Sequence, residues 1–341
     1  MSPERMPVMA DVARIAGVSH QTVSRVLNHH PNVRPATRDR VLAAIEELGY
    51  RRNLSARALV TRRTNTLGVV AFDTTLYGPA STLFGLEQAA RDAGYFISIV
   101  SLKTINRKTV GEALDYLAAQ AVDGLIAIAP QVEAAAAVSA LRGNVPVVAV
   151  EGGEADGMPV VAVDQVRGAE LATRHLLDLG HRTVWHVAGP ADWLEAEGRR
   201  RGWRNVLAEA RIDAPPVVEG DWSPRAGYTA GRRIADEARA GRASAVFVAN
   251  DQMALGLLRA LDEAGVRVPQ DVSIVGFDDI PEAEFLTPPL TTVRQDFAEV
   301  GRKSIALLLD LIEAGPQAEP GRVVVPPAFV IRASTAPPRA T

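Results

Sequence analysis

The sequence predicts an α/β protein in which a small helical head precedes two doubly wound lobes, each built on a parallel sheet. Three observations lead there. Beyond residue 66, short apolar runs alternate with amphipathic stretches of helical period, the signature of parallel strands covered on both faces. Eight such runs fit two open sheets better than one. Before residue 64 the runs are absent, and only helical patterns with start and stop signals remain.

In the head, Val12, Ile15 and Ala16 share one face of a first helix. Ser19 is placed to cap a second helix that runs to about Asn28. After the loop 29–35, a third helix is expected from Thr37, burying Val41, Leu42, Ile45 and Leu48 and stopping at Gly49. Residues 53–61 are helix-capable but too short to hold a helix alone in water, and arginines flank them. Strands are expected at 67–72, 96–101, 124–129, 145–151, 160–163, 183–189, 243–250 and 272–277. Helices are expected at 81–94, 108–121, 165–179, 194–210, 225–240 and 251–264. The chain then divides into a head (1–52), a hinge and linker (53–65) and a two-lobed body (66–341). The lobes are read as 66–162 and 163–291, with 290–295 crossing between them. Helix 297–314 and a final strand at 323–331 return toward the first lobe.

The net charge of −3 conceals an asymmetry. Residues 1–63 carry 11 Arg and no Lys against 5 acids, and the remainder is acidic by 9. A basic head on an acidic body points to a polyanionic partner for the head alone. The second helix sets His20, Gln21, Ser24, Arg25 and Asn28 on one face and Val23, Val26 and Leu27 on the other. A hydrogen-bonding face backed by an apolar one is what a reader of the DNA major groove needs.

Ligands of open α/β sheets bind outside the carboxyl ends of the strands. Phe72 and Asp73, Ser101, Glu151, Asn250 and Asp251, and Asp278 and Asp279 stand at those ends. Carboxylates and amides converging on a cleft suit vicinal hydroxyls, whereas the same residues can also cap the helices that follow. Asp251 and Asp279 are read as caps, and Glu151, Asn250 and Asp278 as ligand contacts. Trp193 and Trp222 fall in loops, where an indole either stacks on a sugar face or fills a lobe interface. Trp185 and Trp203 are read as core. Arg199 lies in an arginine run, one member of which can face the cleft.

Zero cysteines exclude disulfides and thiolate chemistry. No Walker loop, dinucleotide fingerprint or nucleophile elbow is present, and the six histidines lack metal-ligand spacing. No catalytic residue, metal or cofactor is expected. The N-terminus lacks a signal peptide's apolar core and no run reaches membrane-spanning length, so a cytoplasmic protein without a membrane partner is expected.

The stretch 16–28, Thr37-Arg, Gly49-Tyr and Ala58-Leu59, followed by 67–70, Gly189-Pro, 220–223, 249–256, 275–279 and 288–297, together resemble the lactose-repressor family. The resemblance covers nearly the whole chain. It implies a helix-turn-helix head and lobes of the periplasmic-binding-protein type, working as a homodimeric transcriptional repressor on a near-palindromic double-stranded DNA operator. Ser19, His20, Gln21, Ser24, Arg25 and Asn28 would occupy the major groove. Arg34, Thr37 and Tyr50 would hold phosphates. Asn53, Ala56 and Leu59 would form the hinge helix, with Leu59 wedged into the minor groove. The effector contacts implied are Leu76, Pro79, Glu151, Trp193, Arg199, Trp222, Asn250, Gln252, Asp278 and Phe297. A small carbohydrate is the expected effector, a β-galactoside being one candidate. A purine or other metabolite is the alternative within the family, and a sugar-binding transport protein the alternative outside it. Arg52 departs from the family, standing where a proline commonly precedes the hinge helix, and Glu151 replaces an aspartate.

Overall fold

The computed structural model describes residues 7–27, 30–50, 63–102, 106–128, 130–139, 145–151, 158–315 and 321–339. Asn28, Asn53, Ala56 and Leu59 lie outside them, as do Arg52 and the rest of the expected hinge. The chain forms two compact units, Met1–Thr64 and Asn65–Thr341.

In the first unit, α1 (Met9–Ala16), α2 (His20–Leu27) and α3 (Pro35–Leu48) enclose one core. The Val8 N–H donates to Asp11 Oδ2 at 3.0 Å, satisfying a donor at the start of α1. Gly17, at φ 63°, ends the helix in a left-handed turn that a Cβ would strain. Ser19 Oγ accepts from the Thr22 N–H at 3.1 Å, the cap expected for α2. Val12, Ala16, Val23, Val26, Val41 and Ala44 fill the core.

Two expectations are corrected here. The third helix begins at Pro35 rather than Thr37, because proline suits the first helical position, where its missing N–H costs nothing. Leu42 is 50% exposed. Val41, Ala44, Ile45 and Leu48 complete the buried stripe at helical spacing, and Leu42 lies one position around the helix from it.

The second unit begins with β1 (Thr66–Phe72), α4 (Tyr77–Asp92), β2 (Phe96–Leu102), α5 (Arg107–Ala119), β3 (Gly124–Ile128), α6 (Val132–Ser139), β4 (Val147–Val150) and β5 (Val160–Val163). It continues with α7 (Gln165–Asp178), β6 (Trp185–Ala188), α8 (Leu194–Glu209), β7 (Val218–Glu219), α9 (Pro224–Arg239), β8 (Ala245–Val248), α10 (Asp251–Glu263) and β9 (Ser273–Val275). A 3₁₀ turn (Pro281–Phe285), β10 (Thr292–Arg294), α11 (Phe297–Ala314), β11 (Arg322–Val325) and β12 (Ala328–Val330) complete it.

The first sheet runs β11-β5-β4-β3-β1-β2 and the second β7-β6-β8-β9, with parallel pairing throughout both. Both faces are covered, as the strand sequences imply. Leu67, Val69 and Ala71 of β1 face one core while Val70 and Phe72 face another. In β8, Val246 and Val248 face one core and Ala245 and Phe247 the other. Trp203 and Trp185 are buried, as read.

The single final strand expected at 323–331 is two strands in different sheets. Pro326 and Pro327 lack the N–H groups a continuous ladder needs. Thus β11 adds to the first sheet beside β5, whereas β12 pairs antiparallel with β10. The sequence reading also lacked β7, two residues long, and the alanine-rich α6. Helix α11 contributes Val300, Ile305 and Leu308 to the first lobe's core. The chain therefore passes between the lobes after β5, after β10 and after β11.

Candidate functional site: a buried polar cleft

A hollow enclosing about 530 Å³ of space free of protein atoms, open solvent at its mouth included, lies between the two sheets. All ten effector contacts implied by the sequence line it: Leu76, Pro79, Glu151, Trp193, Arg199, Trp222, Asn250, Gln252, Asp278 and Phe297. Strand ends deliver several of them. Glu151 follows β4, Trp222 follows β7, Asn250 follows β8 and Asp278 follows β9. Leu76 and Pro79 come from the start of α4, and Phe297 opens α11. Phe72 does not reach the cleft; it is 2% exposed and belongs to the core.

Arg199, on α8, is the hub. Its Nε donates to Gln165 Oε1 at 2.9 Å, one terminal nitrogen donates to the Ala249 carbonyl, and the other stands 3.6 Å from Asp278 Oδ1. The guanidinium plane lies over the Phe277 ring at 3.9 Å, so one face of the charge is covered by an aromatic surface. Asp278 also accepts from Gln295 Nε2 at 2.7 Å, and Gln295 Oε1 accepts from Gln165 Nε2 at 2.8 Å. Glu151 Oε1 accepts from the Val163 N–H at 3.2 Å. Gln165 and Gln295 thus tie the two crossings near β5 and β10 into one buried polar network. Trp193 and Trp222 meet edge to face at 5.6 Å, and Tyr77 and Phe297 at 5.9 Å.

At one strand end the capping role falls to a neighbouring residue, while Asn250 keeps its place in the lining. Asn250, read as a ligand contact, is the cap of α10: its Oδ1 accepts from the Met253 N–H at 2.9 Å. Its Nδ2 donates to the Trp222 carbonyl at 3.1 Å and to Gln252 Oε1 at 2.9 Å, so it also fixes the tryptophan loop. Asp251, read as the cap, is instead buried and accepts from Thr292 Oγ1 at 2.7 Å and the Ile280 N–H at 3.0 Å. Asp279 is not a cap either; it accepts from Arg294 at 2.6 Å and Arg332 at 2.7 Å.

The sequence reading missed Tyr77, Thr82, Glu195 and Gln295, which also line the cleft. Glu195 had a signal: it stands four residues before Arg199, hence on the same face of α8. Gln295 had none, because its partner Gln165 is 130 residues away.

Burial pushes the Glu151 carboxyl up to about 7 and the Asp278 carboxyl up to about 6, with Arg199 opposing both. Glu195 is raised well above the ordinary carboxylate range, by burial first and Glu151's charge second. A carboxyl raised on folding contributes stability that is complete below its unfolded value and is lost as pH climbs through the folded one. For Glu151 that window runs from about 4.5 to about 7. Glu151→Gln is therefore expected to gain melting temperature over the native chain as pH goes from 5 to 8, read by calorimetry without ligand. A constant difference across that range would contradict the assignment.

In the head, Ser19, His20, Gln21, Arg25 and Arg34 are exposed, while Ser24 and Thr37 are half-buried. Tyr50 is 8% exposed and packs in the head's core. The described exposed arginines also include Arg14 and Arg40.

Comparison with known proteins places both parts. Residues 8–53 match the family described as "Bacterial regulatory proteins, lacI family", and residues 173–335 match "Periplasmic binding protein-like domain". The chain is 35% identical over 329 residues to the lactose operon repressor of Escherichia coli K12, covering 96% of this chain and 90% of that one. It is 36% identical over 349 residues to the HTH-type transcriptional regulator CelR of Thermobifida fusca, covering 98% and 100%. Among solved structures, a lac repressor dimer bound to operator and the anti-inducer ONPF superimposes with a TM-score of 0.85 at 34% identity, covering 97% of this chain and 100% of that one. A CelR–cellobiose complex gives 0.69 at 32% identity, covering 96% and 99%. Among the described residues no helix is long and apolar enough to cross a membrane. With both family descriptions matched and relatives above 30% identity covering almost the whole chain, the chain belongs to the lacI family of bacterial regulatory proteins and is a DNA-binding transcriptional repressor with a ligand-binding domain.

Proposed function

We propose that a small saccharide, bound in the cleft between the lobes, controls this repressor's hold on a near-palindromic operator, and that the chain works as a homodimer. The observation that supports the saccharide is the juxtaposition of the buried Arg199–Asp278 pair and Glu151 with the indoles of Trp193 and Trp222. Carboxylate and guanidinium groups hydrogen-bond vicinal hydroxyls, and aromatic faces cover the C–H surface of a sugar ring. Gln252, Leu76, Pro79 and Phe297 close the remaining walls. The CelR relative's complex with cellobiose and the lac repressor's dimeric, operator-bound state support the same reading.

The body is already held across the cleft mouth: the Val132 N–H donates to the Asp192 carbonyl at 3.1 Å and the Leu194 N–H to the Pro130 carbonyl at 2.8 Å. A ligand that touches both lobes biases this geometry only by the difference in its affinity for the two arrangements. The hinge residues Asn53, Ala56 and Leu59 would carry that difference to the head at residues 1–52.

The test starts with a thermal-shift screen of mono- and disaccharides and purines. A saccharide that stabilises the protein should then lower its affinity for an operator selected from random duplexes. Stabilisation by purines alone, or a saccharide with no effect on operator affinity, would overturn the proposal. In the head, Arg25 is suited to a bidentate contact with guanine and Gln21 to adenine. Arg25→Ala is expected to weaken the selected operator by about 1–3 kcal/mol while sparing binding to random DNA. Equal losses on both, in a salt-controlled gel-shift titration, would reduce Arg25 to a phosphate contact.

A further inference from the structure

Among the described residues the cleft holds three buried carboxylates, Glu151, Glu195 and Asp278, and its lining contains one cation, Arg199. That guanidinium is committed: Gln165, the Ala249 carbonyl and Asp278 take its nitrogens, and none reaches Glu195. Glu195 is 9% exposed, and its Oε2 is buried with no hydrogen-bond partner. Its own backbone N–H, at the start of α8, hydrogen-bonds the carboxylate, so the group answers one unpaired helix donor and leaves its second oxygen bare. Arg201 and Arg322 line a neighbouring hollow that Glu195 also borders, and the bare oxygen bonds neither.

A buried carboxyl oxygen with no partner is costly in either state, as an acceptor when ionised and as a donor when protonated. Trp222 Nε1 presents the converse problem in the same cleft, a buried N–H donor with no acceptor. A group that carries both donors and acceptors relieves both defects, and a hydroxyl does so. A carboxylate or phosphate relieves the tryptophan and aggravates the glutamate.

We propose that Glu195 is a ligand-selecting residue whose bare carboxylate oxygen takes a hydrogen-bond donor of the bound saccharide. The cleft then accepts sugars presenting hydroxyl or ammonium groups at that point and rejects their acidic analogues. This rests on the saccharide reading above.

The experiment uses the full chain and calorimetric titration with lactose, cellobiose, the glucosamine disaccharide of chitosan, and the aldonic and uronic acids of the neutral sugars. Glu195→Gln keeps the shape, and Glu197→Gln, an exposed neighbour, is the control; melting temperatures establish that both variants fold. Removing one partner of a buried hydrogen bond to a ligand corresponds to roughly tenfold in affinity. The expected result is that Glu195→Gln weakens the neutral disaccharide that binds by that factor and narrows discrimination against its acids, while Glu197→Gln changes neither. Tighter binding of the chitosan disaccharide than cellobiose, abolished in Glu195→Gln, identifies the donor as ammonium. The reverse preference identifies a hydroxyl. Sugar binding that Glu195→Gln leaves within twofold of the native chain overturns this proposal alone. If no saccharide binds the native chain, the saccharide reading fails and takes this one with it.

Discussion

Arg199→Ala is expected to abolish measurable saccharide binding and to destabilise the body by roughly 3–5 kcal/mol, the cost of leaving a buried partner charge uncompensated. The side chains of Arg199 and Asp278 are 5% and 7% exposed, so water cannot replace the lost guanidinium. The loss spreads beyond the pair. Gln165 Oε1 and the Ala249 carbonyl each lose a donor, and the Phe277 ring loses the cation stacked on it. Arg199→Lys should restore part of the stability and little of the binding, because a lysine is a single point charge and cannot span three acceptors. Asp278 is already raised to about 6 by burial with Arg199 opposing. Without the arginine its carboxyl rises further, so the penalty of Arg199→Ala should be smaller in acid than at neutral pH. Adding Asp278→Asn should recover part of the stability and none of the binding. Denaturant titrations at pH 5 and pH 7.5, run on the single and double variants, measure all of this. A stability loss below about 1 kcal/mol for Arg199→Ala would mean that the pair is solvated, contrary to its burial.

The parts legible in the sequence follow from backbone periodicity. The central strands are almost wholly apolar because helices cover both faces, and their ends mark the cleft edge. Glu151 and Asp278 could therefore be assigned to a cleft from the sequence, whereas Trp222 follows β7, a strand too short to show a pattern. Asn250 and Asp251 show the limit. Adjacent polar residues at a strand end both suit a cap, and only the local backbone decides which side chain turns back onto α10. Here it is Asn250, freeing Asp251 to pin Thr292 and the Ile280 backbone. The two-proline break after Val325 was visible as residue types, yet the sheet joined by each half is a tertiary outcome. Gln165 and Gln295 have no local pattern at all, since their role arises only where two crossings meet. In the head, Leu42 is apolar but lies off the buried stripe, so residue type alone overcounts the core.

Gly256→Ala should be the most damaging single-methyl change in the second lobe, costing about 3 kcal/mol or more, and it should weaken ligand binding as well. Helices α9 and α10 cross in direct backbone contact. A Cβ on Gly256 would overlap the Pro224 carbonyl, and one on Gly227 would overlap the Met253 carbonyl, both far inside van der Waals distance. Backbone cannot swing aside as a side chain can, so the helices must separate, opening the core around Met253, Leu257 and Ile234. Both helices begin at the cleft. Ser223 caps α9 one residue after Trp222, and Asn250 caps α10 while holding the Trp222 carbonyl. Separation therefore pulls the tryptophan away from the amide that fixes it, which couples a packing defect to the site. Gly111→Ala supplies the opposite sign. Gly111 lies within α5 and a Cβ there meets nothing within 4 Å. Replacing it removes backbone entropy from the unfolded chain and should stabilise by roughly 0.5–1 kcal/mol without touching ligand affinity. Paired melting and titration curves for the two variants separate a glycine required by contact from one that is merely tolerated. A Gly256→Ala protein that melts and binds like the native chain would show that the crossing can open without cost.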